Sequence, residues 1–323
     1  MKGHLQLMVI FTVFLIGLPF IALLSDRHKS RPAAAQQETV LMLFGGDTEP
    51  TELTMKQYIM GAVAAQMPAD FDIEALKAQA VLAHTYALRR RAEEELSPAP
   101  ALRGADLSDD STLYNAYFTE SQIRSLYSGE LSEVREKLSA AAEYGMSRVL
   151  VFEGEPIIAA FHAISFGRTL SAQTAWNERI PYLTGADSSW DADNERTVSE
   201  LRAGREALYS QLKAAFPDTE LSEDSLTVKI TERTEEGCAA TVELCGSVYV
   251  SGSQFAEAAG LPSVCFEVSE DGEGFLFTCR GRGHLVGMSQ YGAQSMAERG
   301  CTAEEILSHY FKNAELRSTE ESK

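Results

Sequence analysis

Residues 283–294 read Gly-His-Leu-Val-Gly-Met-Ser-Gln-Tyr-Gly-Ala-Gln, a run too dense in glycine and polar side chains to be a plain amphipathic element. Gly283, Gly287 and Gly292 let the backbone bend and a ligand approach closely, while His284, Ser289, Gln290 and Tyr291 offer hydrogen bonds and a stacking face. That combination suits a carbohydrate. With 28 basic and 47 acidic side chains in 323 residues the net charge is −19, which repels phosphate backbones and argues against nucleic acid as a partner. A neutral glycan is indifferent to it.

The elements that must position these residues read as α+β, a helical front packed with a strand-rich C-terminal part. Residues 40–44 form a short apolar strand closed by Gly45-Gly46, Thr54 caps a helix running to Gln66, and Pro68 ends it. Asp72 caps the next helix, where Ile73, Leu76, Ala80, Ala83 and Ala87 recur at helical spacing. Residues 95–112, rich in Pro, Ser, Asp and Gly, read as a loop, and 121–144 as a charged helix. Strands are expected at 149–152, 157–164, 228–231, 240–244, 248–250 and 275–278, with helices over 197–215 and 302–311.

This domain, 39–316, is expected to follow a short segment 1–4, an apolar span 5–24 and a polar tether 25–38, and to end in a polar tail 317–323. The span carries no charge, and 20 helical residues cross a bilayer core. The small-residue run Ala33-Ala34-Ala35 lies about ten residues past its apolar end, so the span reads as an uncleaved transmembrane anchor rather than a signal peptide. Lys2 before it and Arg27, Lys29 and Arg31 after it do not fix its orientation. All five cysteines lie in the last third, and an odd count leaves at least one thiol free. Cys265 and Cys279 flank residues 270–274 symmetrically, which fits either a disulfide across a hairpin or two buried reduced thiols.

Several blocks carry a resemblance. They are Tyr58-Ile59-Met60-Gly61-Ala62-Val63-Ala64-Ala65-Gln66-Met67-Pro68, then Glu74-Ala75-Leu76-Lys77-Ala78-Gln79-Ala80, then Phe161-His162-Ala163-Ile164-Ser165-Phe166-Gly167-Arg168-Thr169. Pro181-Tyr182-Leu183 follows, with Asp187-Ser188-Ser189-Trp190-Asp191, and last the 283–293 segment. In this order they resemble the stage II sporulation protein D family, whose C-terminal signature reads Gly-His-Gly-Val-Gly-Met-Ser-Gln-Tyr-Gly-Ala, so that only Leu285 departs from it.

The resemblance implies a lytic transglycosylase that cuts between N-acetylmuramic acid and N-acetylglucosamine in cell-wall glycan during forespore engulfment. The 6-hydroxyl of the sugar closes onto the anomeric carbon, so one carboxyl acting as acid and then base suffices. In the family that carboxyl is the glutamate of Ala-Ala-Glu-Met-Pro, and here the position is Gln66. An amide has no proton to donate near neutral pH, and losing a general acid costs about 10²–10⁴ in rate, whereas sugar binding can survive a change that keeps the side-chain shape. Asp70 and Glu74 are the nearest other acids. Two functions therefore stand side by side: transglycosylase-type processing, and a non-catalytic glycan-binding or scaffold role in the same machinery.

The matching positions imply substrate contacts from Lys77, His84, His162, Ser165, His284, Ser289, Gln290 and Tyr291. His84 stands where the family has arginine, so a fixed charge has become a titratable one. His162, alone on an apolar strand, fits equally a satisfied core histidine. Some relatives hold zinc through a His-Cys-Gln-x-Tyr segment, but the corresponding stretch here, Leu113-Tyr114-Asn115-Ala116-Tyr117, lacks the ligands, so neither zinc nor another cofactor is expected. The implied partners are glycan strands already stripped of peptide, the membrane through residues 5–24, a cell-wall amidase and other engulfment proteins. The body is expected on the outer side of the mother-cell membrane.

Overall fold

Thr54 accepts from the Gln57 N–H while the Gln57 side chain accepts from the Thr54 N–H, and behind this capping box the first helix starts where the sequence places it. The computed structural model describes residues 38–319. The span 5–24 and the tether up to residue 37 lie outside them, and among the described residues no helix is long and apolar enough to cross a membrane.

β1 (Thr39–Leu43) pairs antiparallel with β2 (Thr51–Thr54), which runs into α1 (Met55–Gln66). After α2 (Ile73–Leu96), β3 (Leu107–Ser108) returns parallel to β1. The single helix expected over 121–144 is two, α3 (Glu120–Leu126) and α4 (Leu131–Met146), because a turn closed by the Glu130 N–H on the Tyr127 carbonyl interrupts it. β4 (Arg148–Phe152) and β5 (Glu155–Pro156) form a hairpin, with Glu153 and Gly154 both at positive φ in the turn. The strand expected over 157–164 shrinks to β6 (Phe161–His162), since the Ala160 N–H folds back onto the Ile158 carbonyl. α5 (Ala172–Trp176) was not foreseen.

The helix expected over 197–215 begins with a strand, β7 (Val198–Ala203), and only after Gly204 becomes α6 (Arg205–Ala215). Burial alternates along β7, the signature of a half-buried strand, and its partner residues lie 72 to 82 positions further on. β8 (Val228–Arg233), β9 (Ala239–Leu244) and β10 (Val248–Ser251) form one antiparallel sheet, followed by α7 (Gly252–Ala258). β11 (Phe266–Asp271) and β12 (Gly274–Arg280) make a hairpin that takes β7 on its other edge. The chain then enters β13 (Met288–Ser289), parallel to β6, α8 (Gln290–Glu298), α9 (Ala303–Tyr310) and β14 (Glu315–Ser318). β14 pairs with β4, so ordered structure runs past residue 316 into the expected tail.

The described residues form two hydrophobic cores. Leu76, Leu82, Ile59, Met288, Ile306 and Phe311 belong to the first, beneath the helical front. Phe255, Phe266, Phe275 and Phe277 fill the second, between the two sheets of the 198–280 lobe. The disulfide differs from the hairpin pairing considered above: Cys238 bonds Cys265, and Cys279 is a buried free thiol. Register explains it. Phe266, not Cys265, lies opposite Cys279, and a one-residue offset turns the two side chains to opposite faces of the sheet.

Candidate functional site

Gln66 is the last residue of α1, and its side chain is held at both ends. Its Nε2 donates to the Ala116 carbonyl at 2.9 Å, and its Oε1 accepts from Gln79 Nε2 at 2.7 Å. Gln79 is fully buried on α2, and its own Oε1 accepts from Gln290 Nε2 at 3.3 Å. Gln290 also donates to the Gln66 backbone carbonyl at 2.7 Å. Because Ala116 can only accept, the direction of every amide in this chain is set. The Leu113–Tyr117 stretch supplies a backbone acceptor to this chain through Ala116; among the described residues no group of three His, Cys, Asp or Glu side chains is placed to hold a metal.

Gln290 reaches Gln66 because the 283–291 segment is pinned from behind. Gly287, at φ +73, packs so closely that a Cβ there would lie 2.1 Å from the Ala160 carbonyl oxygen, and the Met288 N–H donates to that same carbonyl at 3.0 Å. Ser289 caps α8 by accepting from the Gly292 N–H. Its hydroxyl donates to Asp191 Oδ2 at 2.7 Å, which also takes the hydroxyls of Ser165 (2.7 Å) and Ser188 (2.9 Å) and the Ser165 N–H. Asp191 is buried, and its Oδ1 has no hydrogen-bond partner. Desolvation pushes this carboxyl up, while the three serine bonds pull it down. Tyr291 donates its N–H to the Ala163 carbonyl, meets the Phe71 ring edge-on at 5.1 Å, and has the Arg196 guanidinium 5.7 Å from its ring centre.

His162 and His284 form the other end of the cluster, with ring centres 6.0 Å apart. His162 lies opposite Ser289 across the β6–β13 ladder and donates from Nδ1 to the Val286 carbonyl, so its lone pair is on Nε2, which is buried without a partner. Burial, with a smaller push from His284, lowers its pKa to about 3. His284 accepts the Val286 N–H at Nδ1 and packs against Trp176 at 5.4 Å; the residue as a whole is exposed, yet desolvation of its imidazole holds it below the usual range.

Seven expected contact residues, Gln66, His162, Ser165, His284, Ser289, Gln290 and Tyr291, are thus joined through one network of contacts. The other two lie elsewhere. Lys77 pairs with Glu74 at 2.6 Å and sits over the Tyr144 ring; two residues from Gln79 on a helix, it faces the opposite side of α2. His84 is buried, with Nδ1 against the Gly145 and Arg148 carbonyls, and works as a bolt between α2, α4 and β4. Sequence reasoning passed over Gln79, Asp191 and Trp176, although the first two stand inside blocks it had singled out.

Comparison with known proteins decides the family. The stage II sporulation protein family profile matches residues 45–152. The chain is 31% identical to the stage II sporulation protein D of Bacillus amyloliquefaciens over 82% of this chain and 74% of that protein, and 30% identical to that of Bacillus subtilis over the same shares. The chain belongs to the stage II sporulation protein D family. A more distant relative, the amidase enhancer of Bacillus subtilis, is 22% identical over 80% of this chain but only 40% of its own length. Membership carries a role in sporulation. For this stage II sporulation protein D homologue, the matched 45–152 stretch contains Gln66, Gln79 and Ala116, and the serine, histidine and tyrosine contributions come from outside it.

Proposed function

We propose that the protein binds peptide-stripped glycan strands of the cell wall during sporulation, at the cluster around Gln66, Gln290, Tyr291 and His284, without cutting them itself. One observation supports this reading: the amide of Gln66, which the resemblance puts at the position of the family's general acid, has both ends engaged, and neither neighbouring acid is placed to replace it. Glu74 is tied to Lys77 and to the Ala303 N–H, bonds that outweigh its desolvation and lower its pKa, the reverse of what a proton donor needs. Asp70 lies beyond Pro68, in a hollow shared with Tyr127, Glu130 and Lys137. The protein then presents bound strands to a partner that does the chemistry, a cell-wall amidase or another engulfment protein, with residues 5–24 anchoring it so that the body faces away from the mother-cell cytoplasm.

Restoring the carboxyl tests this. A glutamate at position 66 would set one oxygen against the Ala116 carbonyl, and the repulsion between the two oxygens favours the protonated form that a general acid needs. The unaltered chain and Gln66→Glu are incubated with stripped glycan strands, and anhydro-ended products are sought by mass spectrometry. Strand binding by both chains and cleavage by Gln66→Glu alone are expected; cleavage by the unaltered chain would sink the non-catalytic reading.

A further inference from the structure

Trp176 ends α5 with 38% of its surface exposed, one of the few large apolar side chains left open to solvent among the described residues. It is not on a bare surface. Its ring leans on His284, and two cavities meet at this pair. The smaller, about 370 Å³, is also lined by Arg89, Asn115 and Phe161, and Asn115 precedes the residue whose carbonyl holds Gln66. The larger, about 810 Å³, opens between α5 and the 198–280 lobe, with Thr174, Ser253, Gln254 and Glu257 in its wall. Both volumes are in the range of small-molecule sites.

We infer that Trp176 is the stacking platform of a second sugar subsite, over which a glycan strand passes from the Gln66 cluster into the larger cavity, and that this cavity takes a neutral N-acetylated sugar. The inference rests on the glycan-binding reading above. An indole face suits the apolar face of a pyranose ring, and the hydroxyl and amide side chains beside it match sugar hydroxyls. Among the described residues lining the larger cavity Glu257 is the sole charged side chain, which disfavours a carboxylated sugar there, and Leu261 and Val264 offer an acetyl methyl an apolar patch. The wall is stiff, because Cys238 in it is disulfide-bonded to Cys265 and Gly252 packs directly on the Ala239 carbonyl. A preformed cavity loses little entropy on binding.

The chain has two tryptophans, Trp176 and Trp190, so Trp190→Phe leaves Trp176 as its sole indole reporter. The full chain in detergent is titrated with an N-acetylglucosamine tetramer and with stripped glycan strands, by fluorescence and by calorimetry. Saturable change in Trp176 emission is expected with both, with binding weakened roughly three- to tenfold in Trp176→Ala and largely kept in Trp176→Phe. Because the ring is half exposed, these substitutions leave the cores intact. Binding that leaves Trp176 emission and the Trp176→Ala affinity unchanged would overturn the second subsite and spare the glycan reading. If the unaltered chain binds neither probe, both fall.

Discussion

His162 shows how a site residue and a core residue can be the same atom group. Its Nδ1–H is spent on the Val286 carbonyl, its ring is buried, and its Nε2 lone pair faces no donor. Such a ring stays neutral when folded. Its pKa in the fold is about 3 and in the unfolded chain near the ordinary value of 6.5, so as pH falls below 6.5 the unfolded chain takes a proton that the fold refuses. Stability is therefore fully present above pH 6.5 and is lost on acidification, by roughly 1.4 kcal/mol per pH unit until the folded ring titrates. His284 adds to this acid limb, while Asp191, whose pKa is raised by desolvation, contributes with the opposite sign. His162→Asn keeps a donor for Val286 and removes the titration. Thermal unfolding between pH 4 and 7 is expected to show a shallower acid limb in the variant; equal slopes would mean that His162 is charged in the fold.

At the scale of elements, the site depends on two strands of two residues each, β6 and β13, held together at a distance only glycine allows. Gly287→Ala would drive a methyl into the Ala160 carbonyl, displace β13 and swing Ser289 and Gln290 away from Asp191 and Gln66. Gly300 supplies the control: its φ is +90, but nothing lies within 4 Å of an added Cβ, so Gly300→Ala carries backbone strain alone. Denaturant unfolding is expected to show a loss of about 1 kcal/mol for Gly300→Ala and more than about 3 for Gly287→Ala, with strand binding lost only in the latter. Similar losses in the two would remove close packing as the reason for Gly287. The same contrast governs what the sequence disclosed. Helix starts at Thr54, Asp72 and Thr302 were legible because a cap and its partner lie within a few residues. β7 was not, since its partner strand is distant and its own residues are half polar. The glutamine chain and the serines on Asp191 join blocks that the sequence reveals separately, but their meeting is set by tertiary packing: Gln79 and Gln290 are 211 residues apart. Leu285 is instructive too. It sits at φ +64, fully buried, where the family signature has glycine, so backbone strain is offset by the burial of a leucine.

For the whole molecule, charge and contact geometry pull in opposite directions. The chain carries a net −19, and each muramic acid of a peptide-stripped strand bears a lactyl carboxylate, so the long-range field repels the proposed ligand. Affinity must then come from short-range groups: the rings of Tyr291 and Trp176, and the Arg196 guanidinium beside Tyr291. Salt separates the two ranges, because the screening length shrinks from about 10 Å at 0.1 M to about 3 Å at 1 M. Contacts made at hydrogen-bond distance lose little over that interval, whereas repulsion across the face of the protein is largely removed. Association with stripped strands should therefore speed up and tighten as salt rises, while binding of a neutral N-acetylglucosamine oligomer stays flat. Stopped-flow binding of both ligands across this salt range measures the difference. A fall in affinity for stripped strands with added salt would instead mean that arginines such as Arg89 and Arg196 dominate recognition through charge, and that the neutral, stacking-based site described above is secondary to them.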